Sequence, residues 1–143
     1  MQLSLILALA ALDPAASVLP APPPPAAASE AEMPRIGVEE ARRLIAEEGA
    51  LLLDVREAQE LAEQGKLRGA VHVPRARVAE RADPAHPDFL PEFRTDRPIV
   101  VYCGTGRRAA MAGAVLLGLG YQRLYNLGGF REAAAAGFET EAN

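Results

Sequence analysis

Within 143 residues, one short stretch gathers the groups with the types and spacing for chemistry: Cys103-Gly-Thr-Gly-Arg-Arg108. Cys103 is the only cysteine of the chain. Gly104 and Gly106 let the backbone turn tightly, so several amide N–H groups can point the same way. From about Arg107 the chain is alanine-rich, with Ala110, Ala114 and Leu117 at helical spacing. A helix is therefore predicted to start just beyond the loop, its positive dipole end toward Cys103. Each feature favours an anion at the cysteine, and the chemistry to expect is nucleophilic attack by a thiolate. The plainer alternative is a small buried hydrophobe, the ordinary role of a free cysteine. Packing alone, however, does not require two glycines and two arginines after it.

The elements that must hold this stretch can be read around it. Ile99-Val-Val-Tyr102 is β-branched or aromatic and opened by Pro98, so it predicts a buried strand that ends at Cys103. Upstream, Val38, Ala41, Leu44 and Ile45 form the apolar stripe of a helix that Gly49 can end. Leu51-Leu-Leu53 predicts a second buried strand with Asp54 at its carboxyl end. Glu57 to Gln64 predicts a short helix ending at Gly65, and Ala70 to Val73 a strand stopped by Pro74. Residues 75–97 are polar and proline-rich, with a short helix expected around Asp88 to Phe93. After the Cys103 strand come a helix that Gly120 can end, a strand over Arg123 to Asn126, and a last helix over Phe130 to Ala136. Strands alternating with helices, and apolar on both faces, indicate a parallel sheet covered on both sides. In such α/β sheets the ligand lies outside the carboxyl ends of the strands, where Cys103 and Asp54 both fall.

Composition narrows the function. The formal charge of -4 argues against a general nucleic-acid binder. One Cys and two His argue against an all-protein zinc site of such ligands, and exclude an internal disulfide. Any resolving thiol must come from another molecule. Residues 1–33 differ in kind from the domain expected over 34–143: they hold no Lys or Arg, and six of the twelve prolines lie between Pro14 and Pro25. The apolar run from Leu3 to Leu12 is too short for a stable membrane span but fits the core of a secretory signal, which favours export to the periplasm. The missing basic start argues the other way, and translation from Met33 would leave a cytoplasmic protein. The segment is therefore expected to be signal-like or disordered, and absent from the mature protein or disordered beside its domain.

Three groups of residues, in this order, resemble the rhodanese-like sulfurtransferases. The first is Leu53-Asp-Val-Arg-Glu57 with Glu60 and Gly69-Ala-Val-His-Val-Pro74; the second is Cys103-Gly-Thr-Gly-Arg-Arg108; the third is Gly120-Tyr121 with Asn126-Leu-Gly-Gly-Phe130. The resemblance implies a three-layer α/β domain around a parallel sheet of about five strands. It also implies transfer of a sulfane sulfur, from a donor such as thiosulfate to cyanide or a thiol, through a persulfide on Cys103. A protein can be the sulfur acceptor in place of a small molecule. The chain departs from the family at Lys66-Leu67, where His-Ile is frequent, and at Ala133, where Trp is frequent.

Roles follow for the named residues. Cys103 is the nucleophile, and the amides of Gly104, Thr105, Gly106, Arg107 and Arg108 would stabilise the thiolate and persulfide as an oxyanion hole does oxygen. Arg108 could close the loop by bonding carbonyls or Asp54, and Arg107 is expected to be exposed and to draw anions. Asp54 can turn its own backbone, and the resemblance implies that it anchors the neighbouring loops; both roles can hold, with Arg56 as its partner. Arg75 either lines the mouth or lies on the surface. The chemistry requires no metal or cofactor. Two other functions compete: a rhodanese-like binding module without catalysis, and a cysteine-dependent phosphatase or arsenate reductase. Tyrosine phosphatases place five residues between Cys and Arg, whereas four lie between Cys103 and Arg108.

Overall fold

Two strands buried at every position dictate the centre of the structure. In the computed structural model, which describes residues 33–143, β1 (Leu51–Asp54) and β4 (Ile99–Cys103) are both buried throughout. They run parallel with Leu51 opposite Ile99 and Asp54 opposite Tyr102. Alternation sends Leu51, Leu53, Ile99, Val101 and Cys103 to one face, and Leu52, Val100 and Tyr102 to the other. Each face needs a helical cover, and the chain supplies both.

The first cover is α1 (Val38–Glu48), which buries Val38, Ala41 and Leu44 and ends at Gly49 with φ 64. Burying a side chain such as Leu44 contributes roughly 1.5–3 kcal/mol. The same face receives α5 (Phe130–Ala135), through Phe130 and Ala133. The opposite face receives α4 (Arg107–Gly118), through Ala109, Ala112 and Leu116. Between β1 and β4 the chain forms α2 (Ala58–Gln64), β2 (Lys66–Leu67), β3 (Val71–His72), a 3-10 turn (Arg75–Arg77) and α3 (Val78–Arg81).

The central sheet is parallel, with order β3-β1-β4-β5, where β5 spans Leu124–Gly129. It has four strands, and beyond β5 an isolated parallel bridge joins Arg35 to Asn126. A two-stranded antiparallel sheet, β2 with β6 (Thr140–Glu141), lies apart from it; neither of these short strands was expected from the sequence. The short helix expected around Asp88 to Phe93 does not form; that stretch is turns. Pro91 has no N–H and disfavours helix at Leu90. The helical turns occur instead behind Pro74, where Val78 is buried against the core. β5 runs three residues past the expected Asn126, because Gly128 and Gly129 pair with Tyr102 and Cys103 after a shift in register.

Met33 is buried and lies against Gly113 of α4. The signal-like or disordered segment expected over residues 1–33 lies, apart from Met33, outside the described residues. No described helix is long and apolar enough to cross a membrane.

Candidate active site

Cys103 closes the central strand β4, and α4 begins four residues later. The strand buries the thiol completely. Between them the chain reverses at Gly106, the residue before α4, with φ 98, a backbone region that favours glycine. That turn aims the Gly106 N–H at Cys103 Sγ, 2.9 Å away. The other loop residues sit around this contact. Gly104 is half-buried, Thr105 and Arg107 are exposed, and Arg108 is half-buried.

Among the described residues, Arg108 bonds neither Asp54 nor a carbonyl. Its two terminal nitrogens donate to the two oxygens of Glu60, at 2.7 and 2.8 Å. The Arg108 guanidinium beside it, more than any other group, holds the Glu60 carboxyl down to about 2. Glu60 also accepts from the Glu57 N–H at 2.8 Å, as half of a capping box that starts α2. The ion pair thus ties the loop to the first turn of α2. A side chain at Gly104 would meet Arg108 Nη2 at 2.9 Å, so the glycine leaves the arginine its path.

Asp54 has its partner two residues away. Arg56 Nη2 donates to Asp54 Oδ2 at 2.7 Å, and Arg56 Nε lies 3.1 Å from both carboxylate oxygens. The Arg56 backbone N–H also donates to Oδ1, at 2.9 Å. Asp54 therefore turns its own backbone and anchors Arg56 at once. Both side chains are fully buried. Burial pulls the Arg56 guanidinium down, and the Asp54 carboxylate more than restores it, so the net shift is upward. The guanidinium lies 4.2 Å from the Phe130 ring centroid and donates to Gly65 O at 2.7 Å. Burial also pushes the Tyr102 phenol up, with Asp54 adding to it. Its oxygen accepts the Leu67 N–H at 3.0 Å. Arg75 is exposed, and its backbone N–H donates to Val55 O at 3.1 Å, joining the end of β3 to that of β1. His72 is an edge residue, half-buried, with Nε2 2.7 Å from Arg56 O.

The loop rests on β5. A side chain at Gly129 would strike Gly104 O, and one at Gly106 would come within 3.2 Å of Gly128 Cα. Asn126 is buried beneath, its Nδ2 donating to Gly106 O at 3.0 Å and its Oδ1 accepting from Gly128 N at 2.9 Å. Neither Asn126 nor Glu60 stands out as a loop partner in the sequence, although a polar residue inside a buried strand is a signal that it is bonded. Arg35 lies over Gly106 and Gly128, and nothing in the sequence points to it. A cavity of about 400 Å³ beside the loop is lined by Arg35, Thr105, Gly106, Arg107 and Asn126. A larger one, about 630 Å³, lies between α2 and Thr140 to Asn143, and Cys103 lines neither cavity. Among the described residues, Glu80, His86 and Asp88 come close enough to hold a cation. Arg77 already pairs with both carboxylates, at 2.8 and 3.3 Å, and so offsets one of the two negative charges of that cluster.

The Rhodanese-like domain family matches residues 37–136. The chain belongs to the rhodanese-like family. It is 34% identical over 110 residues to a protein of Pseudomonas putida (strain GB-1) named Thiosulfate sulfurtransferase GlpE, covering 77% of this chain and 92% of that one. A protein of the same name from Pseudomonas syringae pv. syringae is 36% identical over 100 residues, covering 69% and 85%. Among solved structures, the human single-domain sulfurtransferase TSTD1 is similar with a TM-score of 0.58 and 27% identity, over 71% of this chain and 96% of that one. A protein of unknown function from Rhodopseudomonas palustris, described as a possible tyrosine phosphatase, has a TM-score of 0.73 at 24% identity over 82% and 91%, which shows the shared fold alone. This rhodanese-like protein is a rhodanese-type sulfurtransferase, and its parallel α/β fold is that of the family.

Proposed function

We propose that the protein moves a sulfane sulfur from a donor such as thiosulfate to a thiol or cyanide, through a persulfide on Cys103. The observation that carries this reading is the 2.9 Å approach of the Gly106 N–H to Cys103 Sγ, at the mouth of a loop with four residues between Cys and Arg. Cys103 loses its proton to solvent, and the thiolate attacks the outer sulfur of thiosulfate. A new S–S bond forms on Sγ; the S–S bond of thiosulfate breaks, and its electron pair leaves with sulfite. The acceptor then attacks the outer persulfide sulfur. With cyanide the products are thiocyanate and the Cys103 thiolate. The step requires no external oxidant or reductant.

The Gly106 amide is placed to stabilise negative charge on Sγ and, after transfer, on the outer sulfur. The exposed Arg107, and Arg35 across the 400 Å³ cavity, attract an anionic donor. Arg108 acts through the loop, since its guanidinium is engaged by Glu60. Asp54 and Arg56 support the loop edge, and the exposed Arg75 lies at the rim after β3. Because Cys103 is fully buried, the donor reaches it only when the groups around it move aside.

A loop with only four intervening residues suits a sulfur atom better than a phosphate tetrahedron, which weighs against phosphatase chemistry. The thiol and its glycines weigh against a binding module without catalysis. The test is mass spectrometry after thiosulfate, alongside a thiosulfate–cyanide assay. The wild type should gain one sulfur atom and turn over. Cys103→Ser, nearly isosteric and folded by circular dichroism, should do neither. Substantial turnover in that folded variant would sink the mechanism.

A further inference from the structure

The Asn126-Leu-Gly-Gly129 stretch of β5 has no place in the chemistry described above, yet it lies directly under the loop. Asn126 is 4% exposed, and its carboxamide is used from both ends. Nδ2 donates to Gly106 O at 3.0 Å, and Oδ1 accepts from Gly128 N at 2.9 Å. Gly106 is the residue whose N–H reaches Cys103 Sγ at 2.9 Å. It stands at φ 98, where glycine is free to wander unless its peptide groups are held. Its carbonyl also accepts the Ala110 N–H at 3.0 Å, which starts the hydrogen-bond ladder of α4.

We propose that Asn126 is the positioning residue of this site: its carboxamide fixes the Gly106 carbonyl, and so sets the Gly106 N–H on the sulfur carried by Cys103. The role rests on the Cys103 reading above. It requires a carboxamide because one end must donate to a carbonyl while the other accepts from an amide. A carboxylate has no donor to offer, and opposes its own oxygen to Gly106 O. An apolar residue of the same shape leaves the Gly106 carbonyl and the Gly128 N–H with one fewer buried partner. In this role Asn126 acts through Gly106, whose carbonyl its Nδ2 holds.

The test uses Asn126→Asp and Asn126→Ala, with Leu44→Ala as a control that loosens the α1 face away from the loop. Melting temperatures and circular dichroism establish which variants are folded. In thiosulfate–cyanide turnover, both Asn126 variants should lose at least tenfold in kcat, about 1.4 kcal/mol of transition-state stabilisation. The KM for thiosulfate should stay within about threefold of the wild type, because the uniform attraction of the anion is untouched. Leu44→Ala, even if it melts lower, should keep its kcat. Wild-type kcat in either folded Asn126 variant would overturn the proposal. A measurement on the wild type stands if both variants fail to fold. The Gly106 amide resonance in a ¹⁵N spectrum should move when Cys103 is deprotonated, and more than the other loop amides. A Gly106 amide that does not respond overturns the assignment. In a folded variant that response should fall by half or more, and an equal response in wild type and variant also overturns it. Both spectra are independent of sulfur uptake, so a wild type that gains no sulfur from thiosulfate refutes the sulfur-transfer reading while the position of Gly106 is still tested.

Discussion

Arg108 and Glu60, 48 residues apart in sequence, meet as a two-pronged ion pair with N···O distances of 2.7 and 2.8 Å. The pair is the only side-chain bridge the described residues show between the Cys103 loop and α2. It lies at the molecular edge, with about 30% of each side chain exposed.

Glu60→Gln should lower stability at neutral pH by about 1 kcal/mol, the size of a screened pair of good geometry. The pH dependence follows from the direction of the shift. Glu60 is held down to about 2 from the ordinary 4.5, so its contribution is complete above pH 4.5 and is lost as pH falls through 2. Urea midpoints of wild type and variant should therefore converge between pH 4.5 and 2. A constant difference across that window would show that the ion pair is not its source.

Asp54→Asn should cost far more. It keeps an oxygen for the Arg56 backbone N–H but removes the charge facing a fully buried guanidinium. Breaking a buried pair in this way costs roughly 3–5 kcal/mol. Denaturant unfolding measures it. A loss below about 1 kcal/mol would mean that water or another group reaches Arg56 in solution.

Gly129→Ala tests the seat of the loop by sterics alone. Gly129 has φ -100, which alanine adopts freely, so no backbone strain enters. The added methyl would strike Gly104 O, a backbone atom that cannot swing aside like a flexible side chain. Sulfur transfer should fall at least tenfold in a protein that still folds. Unchanged turnover would show that the loop can ride up without losing its grip on the sulfur.

Loop length is tested by inserting one residue between Gly106 and Arg107. The Gly106 amide and the start of α4 are then no longer one peptide apart, and the cradle widens. Sulfur transfer should fall by at least tenfold, which requires a loss of only about 1.4 kcal/mol. Wild-type hydrolysis of an aryl phosphate should be negligible beside its sulfur transfer. The reverse order of the two activities would overturn the choice of function, whereas full transfer in the inserted loop would refute only the role of length.

The two central strands, and the place of Cys103 at the end of one of them, were legible in the sequence alone. Leu51 to Leu53 and Ile99 to Tyr102 are apolar without alternation, which only a strand covered on both faces can use, and each is followed by a polar residue at its carboxyl end. Gly49 and Gly65 ended their helices, and the glycines around Thr105 marked the loop, because these are local backbone requirements. The partners were decided by tertiary structure. A guanidinium reaches several ångströms in many directions, so the sequence offered Arg108 carbonyls or Asp54; only the approach of α2 to the loop selected Glu60. Asp54 and Arg56, two residues apart, needed no such approach and were legible as a pair. The extra length of β5 and its seat under the loop depend on a register shift between Val101 and Tyr102. Register is a relation between two strands, and neither strand encodes it by itself. For the same reason Asn126, although it belongs to the residues that carry the family resemblance, shows no partner in the sequence. What it holds is fixed by the glycine that packing places above it.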